Sequence, residues 1–402
     1  MRLREAAYVD VRSLGRRVGR VVARYRRRMR IAQLVPRGEY PWSGILTVIV
    51  HLSAALTRRG HDVELWLLSQ WDDTLYATHI ERLRAAGVRR VAIPFRGGRV
   101  RMGAAVARHA ESSEVDLVHL HGAFNGTNTA VSLRLGTPFV FSPHSGYDPI
   151  SLRRSRGRKQ LYALAFERRM LDRASLLAAL TEREREQLRA FGATGRCVVI
   201  PNGVAHPTVP VDSTAFRRGI RVDAQTPLAV YVGRIDMYRK GLDRLLDGIA
   251  ASEDWHLAVI GAEERGDLPA LRASIQRLGI GTRVTVCGPM REPDVQQALA
   301  AARLFTLLSR WEGLPMALLE ALSLGTPALV SPEVERLVAV AAEGAGWLAA
   351  PGSAGRVLRE LAAAEQPTWR RASEAATRLS TRYDWNEVAA AYEDAYASVA
   401  SP

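Results

Sequence analysis

From residue 30 onward, short apolar runs rich in Val, Ile and Leu alternate with longer stretches whose apolar residues recur every three or four positions. That alternation of four- to six-residue strands with helical segments predicts a parallel sheet wound on both sides by helices. Strands are expected at Arg30–Val35, Val63–Leu68, Leu117–His121 and Phe139–Ser142, with an intervening helix at Val48–Arg59 that stops at Gly60. A second series is expected at Leu228–Val232, His256–Ile260, Val284–Cys287, Leu304–Leu307 and Ala328–Val330, with a helix at Asp267–Leu278 before Gly279. Between the series, Pro201, Asn202, Gly203, Pro207 and Pro210 punctuate the chain, which places a domain boundary near 204–225. Tyr383, Trp385, Val388, Tyr392 and Tyr396 return to helical spacing, and predict a terminal helix lying across the domains.

Length and composition fit two globular domains. The chain has 402 residues, 47% hydrophobic and 24% charged, beyond the size at which single cores stop growing. The reading is therefore an N-terminal extension at 1–28, a first doubly wound domain at 29–210, a second at 211–382, and a terminal helix at 383–402. Ile45–Leu56 and Val338–Ala350 are the longest apolar stretches and are too short for a spanning helix. Cys197 and Cys287 each sit in an apolar run without metal-ligand spacing, as reduced core residues of a cytoplasmic protein would.

Charge is uneven. The chain carries +15 overall, and residues 1–28 hold ten Arg against Glu5 and Asp10. This tail alternates Arg with Leu14, Val18, Val21, Val22 and Tyr25. It fits a basic amphipathic helix on an anionic leaflet, and equally an upstream extension with no structural role, since Met29 is followed by a first-strand pattern. Base-stacking aromatics are not interleaved with the arginines, so nucleic acid is not an expected partner. The expected location is the cytoplasm, with peripheral attachment to the inner face of the membrane if the tail docks.

Candidate chemistry falls in loops that follow strands, where doubly wound domains bind ligands. In Val232-Gly233-Arg234-Ile235-Asp236-Met237-Tyr238-Arg239-Lys240-Gly241, Arg234 and Lys240 bracket a strand-to-helix loop. A planar guanidinium and a mobile ammonium suit a diphosphate, although cations in such loops are often merely solvated. In Ser309-Arg310-Trp311-Glu312-Gly313-Leu314-Pro315, Glu312 precedes a helix expected at about 315–324, and Glu320 lies inside it. The free N–H groups from Gly313 onward can take phosphate oxygens. Glu320 is flanked in sequence by Ala317, Leu318, Leu319, Ala321 and Leu322, an apolar setting in which an unpaired carboxylate is costly.

The order of these motifs resembles the family 4 retaining glycosyltransferases of GT-B architecture, from about Met29 to Ala400. Val-Gly-Arg, a following Lys-Gly and two Glu separated by seven residues carry the likeness. Supporting features are Ser43-Gly44, Asp116 to His121, Ser142-Pro143-His144-Ser145-Gly146, Glu167-Arg168-Arg169 to Thr181-Glu182, and Pro201-Asn202-Gly203-Val204. The resemblance implies two Rossmann-like domains facing across a cleft. It implies that Gly233, Arg234 and Lys240 meet the donor diphosphate and that Glu320 holds the ribose hydroxyls. Glu312 with the main chain of Gly313, Leu314 and Pro315 would contact the transferred sugar and the distal phosphate. Gly44 would admit the diphosphate to the first domain, and His144 would lie near the sugar.

The implied reaction is hexosyl transfer from a nucleoside-diphosphate sugar to a hydroxyl of a glycan or lipid-linked saccharide, as in lipopolysaccharide and exopolysaccharide assembly. The configuration at the anomeric carbon would be retained, with the leaving diphosphate helping to deprotonate the acceptor. No cofactor or divalent metal is expected, since the chain has adjacent Asp72-Asp73 and no Asp-x-Asp. Epimerases and phosphorylases share this architecture, but no lysine suited to pyridoxal phosphate stands out. A catalytically inactive scaffold binding a sugar nucleotide is the alternative, and loss of the motif residues would mark it. Two positions depart from the pattern: Ser43-Gly44 replaces a glycine pair, and Ser331 to Glu335 lacks a glycine-rich segment. The arginines between Arg153 and Arg158 suit an anionic leaflet, a lipid-linked diphosphate or a solvated helix start.

Overall fold

The computed structural model describes residues 27–149, 152, 157, 162, 166–207, 211–263 and 266–400. The arginine-rich tail to residue 26 and most of the Arg153–Lys159 run lie outside the described residues.

Two parallel sheets carry the fold. In the first, β1 (Arg30–Leu34), β2 (Asp62–Leu67), β3 (Arg89–Ala92), β4 (Leu117–His121), β5 (Phe139–Ser142), β6 (Leu176–Ala179) and β7 (Cys197–Val199) are ordered β3-β2-β1-β4-β5-β6-β7. In the second, β8 (Leu228–Val232), β9 (His256–Ile260), β10 (Val284–Gly288), β11 (Leu304–Leu307), β12 (Ala328–Val330) and β13 (Gly346–Leu348) are ordered β10-β9-β8-β11-β12-β13. The order reverses between β1 and β4 and between β8 and β11, the place where such sheets open a crevice at their carboxyl ends.

Alternation along each strand feeds two cores. Ile31 and Val35 pack on one face of the first sheet and Ala32 and Leu34 on the other, and Leu176 and Ala178 alternate in the same way with Leu177 and Ala179. The first face is covered by α1 (Gly44–Arg58) and by the terminal helix α7 (Trp385–Ala397), whose Trp385, Val388, Tyr392 and Tyr396 are buried there.

Central strands fall where the apolar runs predict them. β3 was not legible because Arg89-Arg90-Val91-Ala92 is a partly exposed edge strand, and β6 and β13 were not among the expected strands. α1 starts at Gly44, four residues earlier than expected, since Ile45, Leu46 and Thr47 extend the amphipathic stretch. The cysteines correct the core assignment: β7 and β10 are edge strands, and both thiols are free and half-buried. Burial nevertheless raises both, Cys287 to about 11.

The chain passes between the sheets twice, side by side. Val204 pairs with Asp384, and its N–H donates to the Tyr383 carbonyl at 2.6 Å. Gly203 lies under the Trp385 ring, where a Cβ would sit 2.4 Å from the indole. Only glycine permits that approach.

Candidate functional site

Two loops of the second sheet form one wall of the cleft. The loop after β8 runs from Gly233 to Gly241 and leads into α3 (Leu242–Ala250). The loop after β11 runs from Leu308 to Pro315 and leads into α5 (Met316–Ser323), with Pro315 at the cap position just outside the first helical residue. A Cβ at Gly241 would sit 2.0 Å from the Leu308 carbonyl oxygen, and φ there is +66°. Glycine therefore lets the two loops close on each other.

That closure brings Lys240 and Glu312 together. Lys240 Nζ donates to Glu312 Oε1 at 2.6 Å, and Ser309 Oγ donates to the same oxygen at 2.7 Å. Burial alone would raise the Glu312 carboxyl, but Lys240 and Arg239 outweigh it and hold the group ionised below its usual range. Burial lowers Lys240, and Glu312 offsets part of that. Arg234 acts electrostatically on both Lys240 and Tyr231, and the Tyr231 hydroxyl donates to the Arg234 carbonyl at 2.7 Å. Gly233 packs against the Tyr231 hydroxyl, where an added Cβ would lie 2.9 Å away.

The opposite wall is the turn after β5. His144 and Ser145 both have left-handed backbone, with φ of 51° and 68°, a conformation that costs non-glycine residues about 1–3 kcal/mol. Glu184 pins the turn: one carboxylate oxygen accepts from the Ser145 N–H, the other from the Leu180 N–H at 2.6 Å. Burial pushes Glu184 up to about 7 despite these bonds.

A buried polar chain sets His144. Gln33 Nε2 donates to the Tyr396 hydroxyl at 3.3 Å, so Gln33 Oε1 accepts from His121 Nε2 at 2.8 Å. His121 Nδ1 is then the bare nitrogen and accepts from His144 Nε2 at 3.0 Å. His144 Nδ1 is left as an acceptor. The Tyr396 hydroxyl donates to His119 Nδ1 at 2.7 Å, and His119 Nε2 donates to Ser142 Oγ at 2.8 Å. Burial lowers all three histidines, His144 to about 4, so they are neutral at pH 7.

The walls meet at Gly313, where a Cβ would lie 1.6 Å from Ser145 Oγ. Leu314 is buried, and its carbonyl accepts from Asn202 Nδ2 at 3.4 Å. Across from α5, Gly44 stands at the start of α1, with Met316 Cγ 3.9 Å from where its Cβ would be. The structure thus groups Gly233, Arg234, Lys240, Glu312, Gly313, Leu314 and Pro315 on one side of the junction and His144 on the other, with Gly44 facing α5.

Glu320 lies in desolvating surroundings, as expected, but residues distant in sequence supply them. Its apolar sequence neighbours Leu318, Leu319, Ala321 and Leu322 point into the core, while Glu320 lines a small pocket with His51, Glu292, Met316 and Trp385. Helical neighbours at i±1 face different directions, so the flanking residues were a poor guide. Desolvation, then the nearby Glu292 charge, raises Glu320 to about 7. Glu292 is itself clamped by Arg82 at 2.6 and 2.8 Å. This ion pair joins α2 (Ala77–Ala86) of the first sheet to α4 (Glu292–Ala301) of the second.

Gln33, His119 and Glu184 were not singled out as site residues. Their signal was polarity inside strands or apolar surroundings: Gln33 interrupts β1, and His119 and His121 share one face of β4 two residues apart.

Paired Rossmann-like sheets with a cationic loop facing a histidine turn across a cleft make up the GT-B architecture. Residues 42–206 match Glycosyltransferase Family 4 and residues 212–378 match Glycosyl transferases group 1. The chain belongs to the family 4 glycosyltransferases. It is 26% identical to the D-inositol 3-phosphate glycosyltransferase of Xylanimonas cellulosilytica, covering 88% of this chain and 91% of that one. It is 28% identical to the GDP-mannose:cellobiosyl-diphosphopolyprenol alpha-mannosyltransferase of Xanthomonas campestris, over 70% of this chain and 73% of that one. Its fold is similar to that of HepE from Anabaena in complex with UDP and glucose, with TM-score 0.73, 21% identity, and 92% and 100% of the two chains covered. It is also similar to WaaG, a glycosyltransferase involved in lipopolysaccharide biosynthesis, with TM-score 0.68, 19% identity, and 91% and 99% covered. Among the described residues no helix is long and apolar enough to cross a membrane.

Proposed function

We propose that this transferase moves a hexosyl group from a nucleoside-diphosphate sugar to a hydroxyl of a glycan or lipid-linked saccharide, with retention at the anomeric carbon and without a metal. The observation that carries the reading is the Lys240–Glu312 pair, with Arg234 beside it, directly across the Gly313–Ser145 junction from His144. The nucleotide sugars named for the similar proteins, GDP-mannose and UDP with glucose, support a donor of this class.

In the proposed reaction the bond between the anomeric carbon and the donor phosphate oxygen breaks as the acceptor oxygen bonds to that carbon. The acceptor proton passes to the departing phosphate oxygen. Arg234 and Lys240 stabilise charge growing on the diphosphate, which is the part of the barrier that preorganised cations lower most. Glu312 holds Lys240 charged in a buried site and has an oxygen to spare for a sugar hydroxyl. His144, neutral, offers Nδ1 to another. Glu320 would accept from the ribose hydroxyls. Two fixed cations do the work often given to a divalent ion, which is the support for metal independence. Free thiols at Cys197 and Cys287 suit the cytoplasm.

The test is a thermal-shift screen with EDTA present against UDP, GDP, ADP and their sugar conjugates, followed by turnover with the donor that binds. Lys240→Ala is expected to lower transfer at least about a hundredfold, the scale of removing one transition-state-stabilising group, with the fold retained by circular dichroism. Near-normal turnover would remove Lys240 from the reaction. Binding without turnover in the unsubstituted chain would identify a nucleotide-binding scaffold instead, and a shift that requires added metal would overturn metal independence.

A further inference from the structure

A second concave site lies on the first sheet, outside the donor machinery. It is lined by Pro94, Phe95, Arg96, Arg101, Ala104 and Arg108. Arg101, Ala104, Ala105 and Arg108 have the spacing of one helix face, within Arg99–Ser112. The alanines form a low floor between Arg101 and Arg108, whose backbone positions are about 10 Å apart along the axis at seven residues of 1.5 Å rise. Arg96 stands on the loop that follows β3, and Arg37, from the loop after β1, lies over the Phe95 ring at 5.8 Å. A Cβ at Gly97 would come within 3.0 Å of Arg101 Cδ, and φ there is +99°, so glycine lets that side chain fold back along the loop.

The pocket's charge is uncompensated. No carboxylate lines it, and among the described residues the guanidinium groups of Arg96, Arg101 and Arg108 make no ion pair. Several other arginines of the same domain are matched, Arg59 with Glu393, Arg82 with Glu292 and Arg89 with Glu64. Like charges gathered around a concavity repel until an anion enters, and forked guanidinium groups match the oxygens of a phosphate, as they do those of a carboxylate, two at a time.

Position says whose phosphate it is. The loops after β1, β3 and β5 all emerge at the carboxyl end of one parallel sheet. β3 lies two strands from β1 and four from β5, so the pocket is about 10–20 Å from the reacting centre at 4.8 Å per strand. A short saccharide bridges that distance. We propose that this arginine pocket binds the phosphate or diphosphate of the acceptor, holding it while the far end of its saccharide reaches the donor. This rests on the transferase reading of the cleft.

The probe is geranyl diphosphate, titrated calorimetrically into the full chain carrying Arg234→Ala and Lys240→Ala, which silences the donor cations. Adding Arg101→Ala with Arg108→Ala is expected to weaken binding at least tenfold, and Ala104→Phe, which fills the floor, is expected to do the same. All three side chains are at or near the surface, so the fold should tolerate the changes. Unchanged affinity, or no binding before the arginines are removed, overturns the proposal. Tighter binding of geranyl diphosphate than of glucose 1-phosphate assigns a lipid-linked diphosphate, and the reverse order a phosphorylated sugar. Binding only to anionic vesicles, and to neither soluble ester, overturns it in favour of a membrane surface. The melting-temperature rise given by a nucleoside diphosphate in the otherwise unsubstituted chain is read separately. Its absence would count against the cleft reading without touching the pocket's affinity.

Discussion

A methyl group on Gly313 would overlap Ser145 Oγ at 1.6 Å and crowd its Cβ at 2.8 Å. The hydroxyl can rotate away, but the Cβ belongs to a turn whose backbone Glu184 holds, so the junction between the walls must open. Gly313→Ala is therefore expected to cut transfer at least about tenfold through misplacement across the cleft. Adding Ser145→Gly, which suits the left-handed φ of 68° at that position, should recover most of it. Steady-state kinetics on the single and double variants measures the recovery, and independent losses would show that the junction does not set the geometry. Glu320 makes a second prediction at this scale. With its carboxyl at about 7, donor affinity is expected to fall as the pH drops from 8 to 6 and the group is protonated, since the acid accepts fewer hydrogen bonds from ribose. Glu320→Gln should bind weakly and show a flat profile by calorimetry. The residue types at Gly313 and Glu320 were readable in the motif, but neither the turn that faces the glycine nor the pocket around the carboxylate was.

Among the elements, α7 matters more to the site than its distance in sequence suggests. Tyr396, 277 residues beyond His119, bonds both that histidine and Gln33, and through Gln33 and His121 it fixes which nitrogen of His144 is bare. Tyr396→Phe removes the hydroxyl and leaves His119 Nδ1 and Gln33 Nε2 without a buried partner. A loss of about 1–3 kcal/mol in unfolding free energy is expected, the cost of stranding buried polar groups. Urea denaturation measures it, and a change under half a kcal/mol would mean that water replaces the hydroxyl. If the tautomer chain operates, the variant also raises KM for the donor more than it lowers kcat. Apolar spacing revealed α7 as a helix, and Tyr392 and Tyr396 were legible only as core residues. Their hydroxyls acquire a function because the helix returns to the first sheet.

For the molecule as a whole, pH should act through its buried histidines. His51, His79, His119, His121, His144 and His256 all have folded values lowered by burial, so below about 6.5 the unfolded chain binds more protons at these sites. Their contribution is present above the unfolded value and is lost as the pH falls. Glu167, Glu184 and Glu320, raised by burial, work the other way, since the folded chain holds their protons longer. Six groups outnumber three, and the melting temperature is expected to fall steadily from pH 7 to pH 5. A flat or rising melting curve over that range would show that the carboxylates dominate.

The positions of most strands, the helix faces and the cationic loop were determined by local pattern. Apolar periodicity reports which face of an element is buried, and strand-to-helix loops carrying Arg234, Lys240 and Glu312 follow from where strands end. What the pattern could not contain was decided by contact between distant segments: the Lys240–Glu312 bond, the Gly313–Ser145 junction, the Arg82–Glu292 bridge and the reach of Tyr396 to His119. Each pairs residues tens to hundreds of positions apart. A side chain's neighbours, and hence its charge state and hydrogen-bonding role, come from the packing of whole elements and only weakly from the residues beside it in sequence.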